Sequence, residues 1–122
     1  MRYSNEVLDY FLDTQHAGIL QEADHPPVKQ GEIGTREQGY LFKLYVRYDH
    51  TKIKEAKFQA YGSVSAIAAC EYVCGWFENK TFEEAKQLTA IQIQNALNLS
   101  AFETHSALLI ERLCKKTLEE NQ

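Results

Sequence analysis

Apolar positions change their period several times along the chain. Val7, Leu8, Tyr10, Phe11 and Leu12 close on one helical face and predict a helix over residues 4–13, with Ser4 as N-cap and Glu6 on the favourable side of the helix dipole. Residues 14–39 lose that period. Pro26-Pro27 and Gly18, Gly31, Gly34 and Gly39 read as loop, holding one short extended piece near Val28 to Ile33. Tyr40 to Tyr48 is rich in aromatic and β-branched residues and alternates through Phe42, Leu44, Val46 and Tyr48, which predicts a strand. Asp49-His50-Thr51-Lys52 is turn-like. Alternation resumes from Ile53 to Tyr61 through Ala56, Phe58 and Ala60, with one slip, so the two runs predict an antiparallel hairpin.

From Ser63 the period becomes helical. Ala66, Ile67, Cys70, Val73, Cys74 and Phe77 follow the i, i+3, i+4, i+7 spacing, and Asn79 stops the helix. Thr81 starts another, with Glu84 completing a capping box. A short helix is expected over Ala90 to Leu97. The last runs from His105 to Leu118, with Leu109, Ile110, Leu113 and Thr117 on one face and Lys115-Lys116 near its C-terminus. A helix, a small antiparallel sheet of about three strands and then several helices is an α+β arrangement.

The chain has 122 residues, enough for one core and too few for two, so residues 1–122 are read as a single domain. Thirteen basic against seventeen acidic side chains give a net charge of −4, which argues against nucleic acid as the main partner. The apolar stretch from Ala66 to Cys70 is far short of the ~20 residues that span a bilayer, so no membrane association is expected. Met1-Arg2-Tyr3-Ser4-Asn5-Glu6 puts a carboxylate where a signal peptide would be apolar. Three cysteines, an odd count, point to reduced thiols and a cytoplasmic location.

Several short stretches occur in a telling order. They are Tyr3-Ser4-Asn5-Glu6-Val7-Leu8-Asp9-Tyr10-Phe11, Gly39-Tyr40-Leu41-Phe42-Lys43-Leu44, Lys57-Phe58-Gln59-Ala60-Tyr61-Gly62 with Ser65-Ala66-Ile67-Ala68, Val73-Cys74-Gly75-Trp76, Lys80-Thr81-Phe82-Glu83-Glu84-Ala85, and His105-Ser106. In order and spacing the chain resembles the IscU/NifU N-terminal family of iron–sulfur cluster scaffold proteins. That resemblance implies the family's α+β fold and a non-enzymatic role in cluster assembly. The family's chemistry rests on three cysteines, an aspartate and a histidine. On the matching positions this chain has Gln38, Ser63 and Ser106 for the cysteines and Tyr40 for the aspartate, and only His105 remains. The Leu-Pro-Pro-Val-Lys stretch of bacterial relatives is replaced by Leu99-Ser100-Ala101-Phe102-Glu103, and Pro26-Pro27-Val28-Lys29 in the early loop is read as coincidence.

Clusters are held by soft thiolates, with imidazole in part of some sets, and a structural zinc site wants four good ligands. A hydroxyl, an amide and one imidazole supply neither, and no sulfur nucleophile exists there to accept a persulfide. The expectation is a scaffold-family protein that holds no cluster, zinc or other cofactor by itself and acts as a binding or regulatory partner of the assembly machinery. A cysteine desulfurase or the true scaffold is the expected partner. Resemblance puts the docking side near Tyr3, Gln38, Tyr40, Ser63 and His105. A second reading keeps residual iron or cluster contact through His105, its ligands completed by a partner or second subunit. A third, a Ser63–His105 hydrolase, competes with the simpler role of Ser63 as a helix cap.

Cys70 and Cys74 share the core stripe of their helix and Cys114 neighbours Leu113, so all three read as buried hydrophobes. His16, His25 and His50 fall in loops and read as solvated. Gln38, Tyr40 and the two serines are expected to close the vacated pocket with neutral hydrogen bonds.

Overall fold

The computed structural model describes residues 2–21 and 26–119. Ser4 begins the first helix, α1 (Asn5–Leu12). Its hydroxyl accepts the Val7 N–H at 3.0 Å and donates to the Leu97 carbonyl at 2.6 Å, so one cap also ties α1 to the end of a later helix. Three antiparallel strands follow, β1 (Val28–Thr35), β2 (Tyr40–Asp49) and β3 (Lys52–Tyr61), in the order β1-β2-β3. A 3₁₀ turn over Arg36–Gln38 separates β1 from β2.

The slip in the β3 pattern is a bulge. Tyr48 pairs with Ile53 while Arg47 pairs with Glu55, which leaves Lys54 as the extra residue and returns Ala56, Phe58 and Ala60 to the inner face. The extended piece near Val28 is longer than its sequence suggests, reaching Thr35, because two glycines read as loop signals are accommodations to close neighbours. A Cβ at Gly31 would lie 2.1 Å from the Thr117 hydroxyl and 2.8 Å from its Cα. Gly34, at φ +88°, lies beneath the Tyr40 ring, which a Cβ there would meet at 2.5 Å.

The inner face of the sheet, with Ile33, Phe42, Leu44, Val46, Ile53 and Phe58 buried, is covered by α2 (Val64–Phe77) and α5 (Thr104–Leu118). Next come α1 against α2, the short α3 (Phe82–Ala85) with its Thr81–Glu84 capping box, and α4 (Ala90–Leu97) against α5. Cys70, Cys74 and Cys114 are 1%, 0% and 3% exposed, as their stripe predicts. The free edge of β3 is covered twice, once by His16 and Gly18 bonding Phe58 and again by residues 79–82 bonding Thr51 and Ile53. Among the described residues no helix is long and apolar enough to cross a membrane.

His16 requires a correction. It is not simply solvated: its backbone N–H donates to Glu71 Oε1 at 2.9 Å, its Nδ1 meets Glu71 Oε2, and its Nε2 lies 3.1 Å from Glu78 Oε1. The reason is Glu71, a carboxylate only 5% exposed on a core helix, which needs a cation and donors to be buried there. His50 is exposed at the hairpin tip, in keeping with its turn position, and His25 lies outside the described residues.

The contact between β1 and α5 yields a direct expectation. Gly31→Ala should destabilise the fold by about 1–3 kcal/mol, because Thr117 backbone as well as side chain must move. Urea unfolding measures it, and an unchanged midpoint would contradict the close packing described.

Candidate functional site

Of the positions singled out by resemblance, Tyr40, Ser63 and Ser106 come together at one corner of the fold, where β2 begins and where α2 and α5 start. Ser63 precedes α2 in extended conformation and its hydroxyl accepts the Ala66 N–H at 3.2 Å, so it is a helix cap. Ser106, in the first turn of α5, puts its hydroxyl 3.4 Å from that of Ser63. Two residues 43 positions apart, which the resemblance alone had linked, are therefore neighbours.

Tyr40 enters the same corner from the sheet. Its ring stacks on Phe42 with centroids 5.9 Å apart, and its Cβ would lie 3.4 Å from a Cβ at Gly62, the residue before Ser63. Gln38 is held differently. Its backbone N–H and its side chain both meet the Thr35 hydroxyl, at 3.2 and 3.3 Å, within the 3₁₀ turn. The expected ring of four neutral groups is thus corrected: the two serines pair with each other, Tyr40 closes its side by stacking over Gly34, and Gln38 serves its own turn. Tyr3 is partly buried against the core beside Ser4. His105 is exposed, and no hydrogen bond joins it to Ser63 among the described residues.

Beneath the two serines lies a group that the pattern of the chain did not single out. Glu103, 5% exposed, receives the Ser65 hydroxyl from α2 on one oxygen. Its other oxygen receives the Ser100 N–H at 3.0 Å and the Ser100 hydroxyl at 2.9 Å. Burial favours the neutral acid, but the bonds from Ser65 and Ser100 outweigh it and hold the carboxyl below its ordinary range. The signal was present in Ser100-Ala101-Phe102-Glu103, a capping-box spacing just before the last helix.

The donor set decides what this corner can hold. Of the five positions mapped by resemblance, four carry an amide, a phenol and two hydroxyls, and His105 alone carries an imidazole. The three thiols lie in the core instead, where burial pushes each above the ordinary cysteine range and away from the thiolate that metals require. Among the described residues no group of three or more His, Cys, Asp or Glu side chains is arranged to hold a metal ion.

The family profile of the NifU-like N-terminal domain matches residues 2–121. The iron–sulfur cluster assembly scaffold protein IscU of Azotobacter vinelandii is 31% identical over 121 residues, covering 98% of this chain and 94% of its own length. IscU of Escherichia coli K12 is 29% identical over 119 residues, covering 97% and 92%. Among solved structures, a candidate scaffold protein for the SUF system from Fervidobacterium islandicum superposes with a TM-score of 0.75 at 21% identity, over 96% of both chains. The three-stranded sheet, the order of helices and these full-length matches together make this chain a member of the NifU-like N-terminal domain family, the family of the iron–sulfur cluster assembly scaffolds.

Proposed function

We propose that this family member has given up cluster binding and acts as a non-enzymatic partner of the iron–sulfur assembly machinery. The observation that carries the reading is the absence of sulfur from the corner where Ser63 and Ser106 meet, while all three thiols of the chain are buried elsewhere. A scaffold works by offering thiolates to incoming iron and sulfide. With hydroxyls there, nothing accepts a persulfide and nothing bridges to iron. What remains is the shape of a scaffold, and a shape is sufficient for docking. The expected partner is a cysteine desulfurase or the sulfur-bearing scaffold of the same cell, met on the side that carries Tyr40, Ser63 and His105. The role would be competitive or regulatory.

Glu103 supports this reading energetically. In a metal-dependent fold the bound ion contributes stability at the point where the elements converge. Here α2 and α5 are joined by Ser65, Glu103 and Ser100, which need no ion. A second reading, residual iron or cluster contact through His105 with a partner completing the ligands, rests on the exposure of that imidazole at the same corner.

Anaerobic reconstitution with iron, sulfide and a desulfurase separates the two. The expected result is no stoichiometric visible chromophore on the isolated chain, with complex formation at micromolar concentrations of a desulfurase or scaffold. A stable chromophore with matching iron and sulfide would overturn the proposal, and a chromophore found only in the complex and lost in His105→Ala would favour the second reading. Restoring the family residues through Gln38→Cys, Ser63→Cys, Ser106→Cys and Tyr40→Asp together should create cluster binding where the native chain has none.

A further expectation concerns the corner itself. Because the Glu103 carboxyl titrates below its ordinary value, its contribution is present above the ordinary carboxylate range and is lost as pH falls through the folded value. Glu103→Gln should cost about 1–3 kcal/mol at neutral pH by setting an amide donor against the Ser65 and Ser100 donors. It should also flatten the acid limb of the stability profile. Equal stability of the two proteins from pH 4 to 7 would contradict that role.

A further inference from the structure

His16 is held by three residues at once. Glu71, midway along α2, takes both its backbone N–H and its Nδ1–H, and Glu78, at the C-cap of the same helix, faces its Nε2. The His16 carbonyl accepts the Phe58 N–H at 3.0 Å and the Gly18 N–H donates to the Phe58 carbonyl at 2.8 Å, so the same short segment lies along the edge of β3. This cluster sits well down α2 from Ser63 and shares no residue with the corner described above.

The charges around the ring are mostly of one sign. Asp9 of α1 and Asp13 at its C-cap line the adjoining cleft of about 450 Å³ with Glu71, Tyr72 and Trp76 of α2. Lys57 of β3 lies beside Gly18, and Lys80 rests over the outer Trp76 ring at 4.5 Å from its centroid. Among the described residues, His16 is the one cation within ion-pair distance of Glu71. Both ring nitrogens face carboxylate oxygens. An imidazolium satisfies them both, whereas a neutral ring must turn one lone pair toward a carboxylate.

We propose that His16 is a proton-operated latch, closed as the imidazolium, that holds residues 16–18 onto α2 and over the Phe58 edge of β3. Loss of the proton frees the partly exposed Glu78 arm first, because its oxygen then faces a lone pair. The loop is left on Glu71 alone, and the Phe58 N–H and carbonyl open to water more often. Burial of the ring works against its charge, but the bonds to Glu71 and Glu78 outweigh that and raise its pKa above 6.5. The latch is therefore at full strength below the ordinary imidazole value and weakens as pH rises through the raised one.

Nuclear magnetic resonance of the full chain tests this. The His16 ring titration is followed by ring nitrogen shifts, and amide exchange at Phe58 and Gly18 is corrected for the intrinsic rate at each pH. Expected is a midpoint above 6.5 with both nitrogens protonated below it. Across it, protection at Phe58 and Gly18 should fall roughly tenfold for each pKa unit of the shift, while Val46 on the central strand stays constant. Glu78→Gln, a change at a partly exposed helix end, should lower the midpoint and shrink the fall. His16→Gln should make protection independent of pH. A midpoint at or below 6.5, constant protection across it, or the native profile persisting in Glu78→Gln would overturn the proposal.

Discussion

A helix enclosed by protein on most of its surface can carry a polar side chain only where another part of the fold supplies the bonds that water would have made. α2 is that helix. The sheet, α1, α4 and α5 all pack against it, and Ala66, Ala68, Ala69, Cys70, Val73, Cys74 and Phe77 are buried along it. Its two buried polar residues, Ser65 and Glu71, are met by Glu103 ahead of α5 and by His16 after α1. These two joins fix where the last helix starts and where the first loop runs. Among the described residues no buried side-chain nitrogen or oxygen lacks a partner. The corner where Ser63 and Ser106 meet adjoins the first of these joins.

Stability and the proposed loss of the cluster site are therefore parts of one problem. The hydroxyls at Ser63 and Ser106 are small polar groups, the first capping α2 and the two pairing with each other. The acid at position 103 turns inward and is kept ionised by hydrogen bonds from Ser65 and Ser100, with no counter-ion within ion-pair distance among the described residues. Tyr40 lays an aromatic ring over Gly34 and beside Phe42, adding apolar contact at the start of β2. Under the proposed reading, these contacts finish the corner without an ion.

Much of the architecture was legible in the chain because it rests on local chemistry. The caps at Ser4, Ser63 and Thr81, the period-two runs of β2 and β3, and even the slip that proved to be the Lys54 bulge are written within a few residues of one another. The convergence of Ser63, Ser106 and Tyr40 came from resemblance, since no local pattern joins residues so far apart. What escaped was non-local and polar. His16 meets carboxylates 55 and 62 positions away, and Gly31 is required by Thr117 on the last helix. Glu71 did leave a trace, a charged residue beside Cys70 within a buried stretch of helix. Such a charge asks for a partner without naming it.

If, as proposed, the fold is complete without metal, thermal unfolding of the purified chain should not respond to it, whether measured with chelator or with stoichiometric zinc or ferrous iron under anaerobic conditions. The same midpoint is expected in all three. A rise of several degrees that saturates at one ion per chain and disappears in His105→Ala would contradict it.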